Sequence, residues 1–324
     1  MTAREQLQTE RDETVIRLLR TTISSRAELI AEYERRSVEA FAPSTRRNYV
    51  QIIKMFRNWC SANSFESEPP IHPSVIAAYV DDMGGKIRAS TIETRLWAIN
   101  EMHRARFLAP PCQHRLVELA LKAVKRRYGA GHRQAPPLGK REVLHAISAL
   151  GSSRIEVRDK AILWVATDSW CRASELVALR VQDICPQEDG SSLLYIARSK
   201  TDQFGEGAYA FLSKRGTEAA KTWVELARLK PSDPLFTKSQ ANAKVGPLDA
   251  ATISRIIKRC TGRDDVSAHS TRVGGVQDAL KLGCDLASIM VAGRWTSPEM
   301  PARYGRSLLA SQSAAAKVSA AFSD

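Results

Sequence analysis

The sequence is most informative in its last third, at Ala268-His269-Ser270-Thr271-Arg272-Val273-Gly274. His269 and Arg272 stand three positions apart, so a helix would place both side chains on one face. An imidazole changes its charge near neutral pH, whereas a guanidinium is a permanent cation with a planar set of donors. The stretch predicts a helix that presents these two groups together.

A second informative stretch follows at Gly293-Arg294-Trp295-Thr296. Ser297 and Pro298 come next, and this pair is typical of an N-cap and the first position of a helix. The predicted helix carries Tyr304. Taken alone, a tryptophan usually belongs to a core, and a tyrosine usually needs no special function.

Three more candidate residues lie upstream. Arg172 and Glu175 are separated by three positions after a helical segment of buried character, and an ordinary helical ion pair would explain them equally well. Lys200 lies in the polar turn between two predicted strands, 191–198 and 207–212. Each residue alone has an ordinary structural explanation, so their combination matters more than any one of them.

Motifs of several common enzyme and metal-site classes are missing from the sequence. There is no Walker loop, no Gly-rich dinucleotide fingerprint, no H-E-x-x-H and no G-x-S-x-G. No C-x-x-C pair occurs, which argues against a zinc site, and scattered cysteines favour a reducing compartment. We expect neither a metal ion nor another cofactor. The cysteines are Cys60, Cys112, Cys171, Cys185, Cys260 and Cys284.

Composition and charge bound the class of protein. The chain has 324 residues, of which 44% are hydrophobic and 26% charged, and this is typical of a globular protein with two domains. It has no apolar run of the ~20 residues that a membrane span needs, nor an apolar leader, so we expect a soluble, intracellular protein. The net charge of +13 suggests a polyanionic partner such as nucleic acid.

Helical periodicity and turn signals divide the chain into four parts. Residues 1–40 are predicted to form a charged helical arm, and residues 41–128 a bundle of four helices with basic outer faces. Gly and Pro cluster in residues 129–139, the predicted linker. Residues 140–324 read as helices around a small β-hairpin, so the fold class is mainly α. Candidate DNA contacts on the bundle are Arg46, Arg47, Arg95 and Lys125.

The ordered set of an Arg, a hairpin Lys, His-x-x-Arg, a Trp and a Tyr resembles the tyrosine recombinases, or phage-type integrases. The likeness covers roughly residues 43–320. Other stretches also carry it: Trp59-Cys60, Thr91-Ile92, Ile289-Met290 and Ala292-Gly293-Arg294-Trp295-Thr296.

This resemblance implies a fold and an activity. The bundle would be a core-binding, DNA-binding domain, and residues 140–324 an α+β catalytic domain with a C-terminal helix exchanged between protomers. The protein would be a site-specific recombinase that acts as a homotetramer on specific sites in double-stranded DNA. Cleavage and rejoining would pass through a 3′-phosphotyrosyl bond and a Holliday junction, without a metal ion or ATP.

The resemblance also assigns roles to the reacting groups. Tyr304 would be the nucleophile, and Lys200 the general acid for the 5′-oxygen. Arg172 and Arg272 would clamp the non-bridging phosphate oxygens. His269 would add a hydrogen bond and help to deprotonate the nucleophile.

Two further residues have supporting roles by the same resemblance. Glu175 would orient the cluster, and Trp295 would donate its indole N–H to the phosphate. Many family members have His in place of Trp295 and a second His in place of Val273, so the chain resembles the subgroup of the family that lacks these two histidines. An indole only donates, which argues against a proton relay through Trp295.

The segment after Tyr304 is Ala-rich and helix-prone. It either folds on its own domain or, as the resemblance implies, docks on a neighbouring protomer. The residues that would dock are Leu308, Leu309, Val318 and Phe322.

Other functions stay open from the sequence. A related phosphotyrosyl enzyme, such as a telomere resolvase or a topoisomerase IB-like relaxase, would need the same residues. A non-catalytic architectural DNA-binding protein would need the basic surface but not a tyrosine beside a phosphate clamp.

Overall fold

The computed structural model is mainly helical with a small antiparallel sheet, which confirms the predicted fold class. The chain divides into two compact units, residues 1–132 and 133–324, and the division falls within the predicted linker. The structure describes residues 26–131, 134–198, 206–238 and 246–322.

The first unit is a helical bundle. Phe56, Ile76, Ile92 and Ile99 lie in its core, each fully buried. They come from three different helices, and Ile92 and Ile99 lie two turns apart on one face of the same helix, so burial of such apolar faces drives the helices together. Its helices are α1 (Arg26–Ala40), α2 (Pro43–Ala62), α3 (Pro73–Met83), α4 (Ala89–Arg104) and α5 (Arg115–Tyr128).

The buried face of α5 differs from the predicted one. Helical spacing predicts that Leu116, Leu119, Ala123 and Val124 face inward, but Leu116 and Leu119 are 46% and 45% exposed. Val124 is buried as predicted, together with Val117 and Ala120. These smaller side chains allow α5 to approach α3 closely, which explains why the shorter residues face inward.

Two predicted N-caps are wrong by one or two residues. The pair Pro43-Ser44 predicts a helix start with Ser44 as its N-cap, but helix α2 begins at Pro43, so Ala42 holds the cap position. Proline suits the first helical position because it has no N–H to leave unpaired. Near the C-terminus, the helix that carries Tyr304 is capped by Pro298 instead of Ser297.

The second unit surrounds its sheet with helices. Strand β1 pairs with β2, and β2 with β3, all antiparallel, with Leu194 opposite both Ile184 and Ala210. The two predicted strands correspond to β2 and β3, whereas β1 is too short to show a periodicity. The elements are α6 (Lys140–Ser148), α7 (Arg154–Ser169), α8 (Ala173–Ala178), β1 (Ile184–Pro186), β2 (Ser192–Ile196), β3 (Ala208–Leu212), α9 (Lys214–Ala227), α10 (Ala250–Thr261), α11 (Ala268–Lys281), α12 (Leu286–Gly293), α13 (Glu299–Tyr304), α14 (Arg306–Ser311) and α15 (Ala314–Ala321).

A small apolar cluster fixes the C-terminal helices on α11. Val273, Val276 and Leu280 project from α11 into this cluster and meet Ile289 of α12 and Tyr304 of α13. Burying such side chains contributes on the order of 1.5–3 kcal/mol each. The cluster therefore holds α13, and with it Tyr304, against the helix that carries His269.

Two general expectations can be compared with the structure. The six cysteines are free thiols. Among the described residues, no helix combines the length and the apolar character required to cross a membrane.

Candidate active site

Helix α11 begins with a side-chain cap that positions His269. The Ser267 hydroxyl accepts the backbone N–H of His269, and Ser270 completes the capping box. Such a cap stabilises a helix by about 1 kcal/mol. His269 therefore lies on a well-defined first turn, one turn before the fully buried Arg272.

Tyr304 lies at the end of α13, directly against His269. The Tyr304 hydroxyl and His269 Nε2 are 2.8 Å apart, within hydrogen-bonding distance. The Tyr304 backbone carbonyl accepts hydrogen bonds from the Nε2 amides of Gln134 and Gln277, at 3.2 and 3.1 Å. Both the ring and the backbone of Tyr304 are thus held in place.

Arg272 is buried beneath this pair. Its Nη1 donates to the Trp170 carbonyl at 2.6 Å, and its Nη2 donates to the Gly293 carbonyl. The guanidinium carbon lies 4.0 Å from the centre of the Trp295 ring, and that ring is 5.8 Å from the Tyr304 ring. Partners on several sides fix a cation next to the tyrosine.

Gly293 is required by the same packing. A Cβ atom at this position would lie only 1.7 Å from the Trp295 ring. Any larger residue would displace the ring from its place between Arg272 and Tyr304.

Glu175 connects two arginines at the edge of the site. Its Oε1 accepts from Arg172 Nη1 at 2.6 Å, and its Oε2 accepts from Arg294 Nη2 at 2.9 Å. Oε2 also accepts the Arg172 backbone N–H at 2.9 Å. Glu175 is almost fully buried, whereas the Arg172 side chain is 19% exposed and keeps access to solvent.

Burial and the arginines shift the pKa values of the site. Burial raises the pKa of Tyr304, although the charges of Arg272 and Arg172 oppose this shift. Burial, followed by the charges of Arg272 and Arg172, lowers the pKa of His269 below 6.5. A neutral imidazole is favoured, and its Nε2 can accept a hydrogen bond from the Tyr304 hydroxyl when Nδ1 carries the proton.

The charged groups of the site are shifted as well. Burial and the neighbouring Arg172 lower the pKa of Arg272 to about 10, which still leaves it cationic at pH 7. Burial raises the pKa of Glu175, but hydrogen bonds from Arg172 and the charge of Arg294 outweigh it, so the net shift is downward. The arrangement concentrates positive charge beside a tyrosine paired with a neutral base.

The structure brings together six of the seven residues predicted for catalysis, and Lys200 lies outside the described residues. Arg294 is a further member that sequence reasoning missed. Arg294 lies in the stretch Ala292-Gly293-Arg294-Trp295-Thr296 that resembles the family, but no periodicity or spacing distinguishes an arginine at this position. In the parts of the chain that the structure describes, no cluster of His, Cys, Asp or Glu side chains could hold a metal ion.

The four predicted DNA contacts differ in accessibility. Arg47 is exposed, whereas Arg46 is half-buried. Arg95 was expected to point outward, but its Nη1 donates to the Tyr79 hydroxyl at 2.9 Å within the bundle. Lys125 Nζ lies 2.5 Å from Glu93 Oε1, in a surface ion pair.

Comparisons with known proteins agree with this geometry. The chain is 26% identical to the recombinase Cre of Escherichia phage P1 over 298 residues, which cover 84% of this chain and 87% of Cre. It is also 26% identical to an integrase/recombinase XerD homolog of Selenomonas ruminantium over 300 residues, or 87% of each protein.

The fold is shared with solved structures. A lambda integrase tetramer bound to a Holliday junction matches with a TM-score of 0.59 and 17% identity, over 87% of this chain and 78% of that one. The model of the phage integrase family matches residues 138–310, which is more than half of the chain. The likeness suggested by the ordered catalytic residues is therefore confirmed, and the chain belongs to the phage integrase family of tyrosine recombinases.

Proposed function

We propose that this chain is a site-specific DNA recombinase that cleaves and rejoins double-stranded DNA through a 3′-phosphotyrosyl intermediate and a Holliday junction. The observation that carries the proposal is the 2.8 Å contact between the Tyr304 hydroxyl and His269 Nε2, next to the buried Arg272. Binding alone would not require a tyrosine paired with a neutral base beside fixed cations.

The chemical step is a phosphoryl transfer to Tyr304. The phenolic oxygen attacks the phosphorus, a Tyr304 O–P bond forms, and the P–O5′ bond breaks. His269 takes the phenolic proton, and Lys200 gives a proton to the departing 5′-oxygen. A second 5′-hydroxyl then reverses the step on another strand. The covalent link conserves the energy of the phosphodiester bond, so the reaction needs no ATP.

The remaining residues stabilise the transition state. Arg172 and Arg272 contact the non-bridging oxygens, where fixed cations lower the barrier as charge redistributes. Glu175 orients Arg172, as their 2.6 Å contact supports. Trp295 donates its indole N–H to the phosphate and packs against Tyr304, and as a donor only it relays no proton.

The proposal divides the work along the chain. Residues 41–128 bind the duplex, with Arg46, Arg47 and Lys125 among the contacts, and residues 140–324 carry out catalysis. Residues 1–40 are an arm and 129–139 a linker. Because phosphate contacts release counterions, affinity falls steeply with salt.

The active form is a homotetramer on DNA, in line with the lambda integrase tetramer of the same fold. Leu308 and Leu309 pack on the α11 cluster of their own chain, contrary to the expectation that they dock on a neighbour. Val318 and Phe322 are 58% and 85% exposed, which leaves α15 to provide the contact between protomers.

The site of action is the cytoplasm of a bacterium, on chromosomal, phage or plasmid DNA. The two relatives from a phage and a bacterium support this placement.

A trapping assay tests the proposal. Wild-type protein and Tyr304→Phe are incubated with labelled DNA from the flanks of the gene, in EDTA and without nucleotide, and quenched with SDS. We expect a covalent band in the wild type only, while both proteins bind DNA. A covalent band with both proteins would mean that Tyr304 is not the nucleophile. Binding without a band on a random-site library would favour an architectural protein.

A further inference from the structure

Arg294 holds an unusual position behind the proposed phosphate clamp. It directly follows α12 with a φ of 56°, in the left-handed region that favours glycine. Its side chain is only 8% exposed, although arginine is rarely buried without partners. A strained backbone and a buried charge persist only where the contacts of the side chain compensate for them.

Apart from a 3.4 Å contact with the Ala292 carbonyl, those contacts reach the segment that carries Arg172. Arg294 Nη1 donates to the Ser169 carbonyl at 2.9 Å, at the end of α7. Its Nη2 lies 2.9 Å from Glu175 Oε2 and 3.4 Å from the Trp170 carbonyl. One guanidinium thus binds together the end of α7, the turn after it and the start of α8.

Two of these partners, Glu175 and the Trp170 carbonyl, are shared with an arginine of the clamp. Glu175, which Arg294 holds through Oε2, accepts Arg172 Nη1 through Oε1. The Trp170 carbonyl accepts Arg272 Nη1 at 2.6 Å. Arg294 therefore contacts the supports of both clamp residues.

The positive charge of Arg294 also affects how strongly Arg172 can attract a phosphate. Without Arg294, the buried Glu175 carboxylate would be balanced mainly by Arg172, the clamp residue with access to solvent. Arg294 supplies a second cation to this carboxylate, which leaves more of the positive field of Arg172 for a phosphate.

We propose that Arg294 is a positioning residue of the recombinase site, which fixes Glu175 and the Trp170 carbonyl so that Arg172 and Arg272 face the scissile phosphate. This inference rests on the proposed function. Arg294 itself does not touch DNA in this account.

The test compares two substrates with Arg294→Gly, because glycine fits the left-handed backbone without strain. One substrate carries the normal scissile phosphodiester. The other carries a methylphosphonate there, which has no negative charge and depends less on the clamp. The rate of Tyr304 adduct formation is measured on both. Arg228→Gly is the matched control, since Arg228 has the same φ of 56° but an exposed side chain.

We expect Arg294→Gly to slow adduct formation on the phosphodiester by about 10- to 100-fold, as for outer groups that orient functional side chains. On the methylphosphonate the defect should shrink to a few-fold, and Arg228→Gly should match the wild type on both. Equal defects on both substrates would indicate general damage and overturn the inference, as would an unchanged rate on the phosphodiester.

Arg294→Lys covers the case in which the glycine variant does not fold. It keeps the charge, but one ammonium cannot span Glu175 and two carbonyls, so the same selective defect is expected in weaker form. A wild type that forms no adduct would overturn the proposed function and the inference with it. A wild-type adduct with an unaffected Arg294 variant would overturn the inference alone.

Discussion

The cations of the two units are held in different ways. In the catalytic unit, Arg272 and Arg294 are buried, and backbone carbonyls or a carboxylate fix their guanidinium groups. In the helical bundle, Arg47 is exposed and Lys125 makes only a surface ion pair. Fixed cations suit a transition state, which tolerates little misplacement, whereas mobile ones suit the phosphate backbone of DNA. Substitutions in the two sets should therefore affect different quantities.

The largest effect is expected for Arg272→Lys. An ammonium cannot keep the two carbonyl contacts and the place above Trp295 while it binds a phosphate. Adduct formation per folded molecule should fall by about 10²- to 10³-fold, as for the loss of one transition-state donor. Single-turnover trapping at saturating DNA measures this.

Arg158→Met is the control for loss of a buried arginine. Arg158 is also buried, but it pairs with Asp159 and donates to the Thr237 carbonyl instead. Its removal should lower the melting temperature without a change in the trapping rate of the folded fraction. An equal loss of trapping rate in Arg272→Lys and Arg158→Met would contradict a specific role of Arg272 in the reaction.

Gly293→Ala should have the next largest effect. The added methyl would collide with the Trp295 ring, so the ring must leave the Arg272 guanidinium. We expect a destabilisation of about 1–3 kcal/mol, typical of overpacking, together with slower adduct formation. Denaturant unfolding and trapping measure the two effects. Gly131→Ala, with open space around the added methyl, should change neither, and a silent Gly293→Ala would contradict the packing.

A smaller effect than that of Gly293→Ala is expected from the lowered pKa of His269, which makes the stability of the fold depend on pH. Burial and the two arginines hold this pKa below 6.5, so the unfolded chain binds more protons between the folded pKa and 6.5. This contribution to stability is complete above pH 6.5 and is lost as the pH falls through the folded pKa. An NMR titration should show the lowered pKa in wild type and a rise in Arg172→Gln. A pKa at or above 6.5 would contradict the neutral base.

The smallest effect is expected for the bundle. Arg47→Ala should reduce the slope of log affinity against log salt by about 0.9, the value for one lost phosphate contact. The trapping rate at saturating DNA should stay the same, because no fixed catalytic group changes. Lys125→Ala should change the slope less, since Glu93 already neutralises that lysine. A large loss of trapping rate at saturating DNA in Arg47→Ala would contradict the distinction between the cations of the two units.

Sequence reasoning named residues that the structure brings together, including the supporting Glu175 and Trp295, but it missed Arg294. His269, Arg272 and Tyr304 are distinguished by residue type and by order along the chain, so a pattern can reveal them. Arg294 acts through a left-handed backbone and contacts to carbonyls more than 100 positions away in sequence, and no periodicity reports either.

The same limit applies to the fold. The helical spacing of Ile92, Leu96, Ile99 and Met102 predicts that they face inward, and all four are buried on α4, where one stripe is clearly more apolar than the others. For α5, two apolar faces competed, and close packing against α3 selected the smaller residues Val117 and Ala120 over Leu116 and Leu119. Hydrophobicity alone could not decide between them.

The most direct test of Tyr304 as the nucleophile is to identify the residue that becomes linked to DNA. The trapped adduct is digested with nuclease and trypsin, and the peptides are sequenced by mass spectrometry. We expect a nucleotide joined through its 3′-phosphate to the Tyr304 oxygen, within the tryptic peptide Tyr304-Gly305-Arg306. A nucleotide attached to any other residue, or joined through its 5′-phosphate, would contradict it.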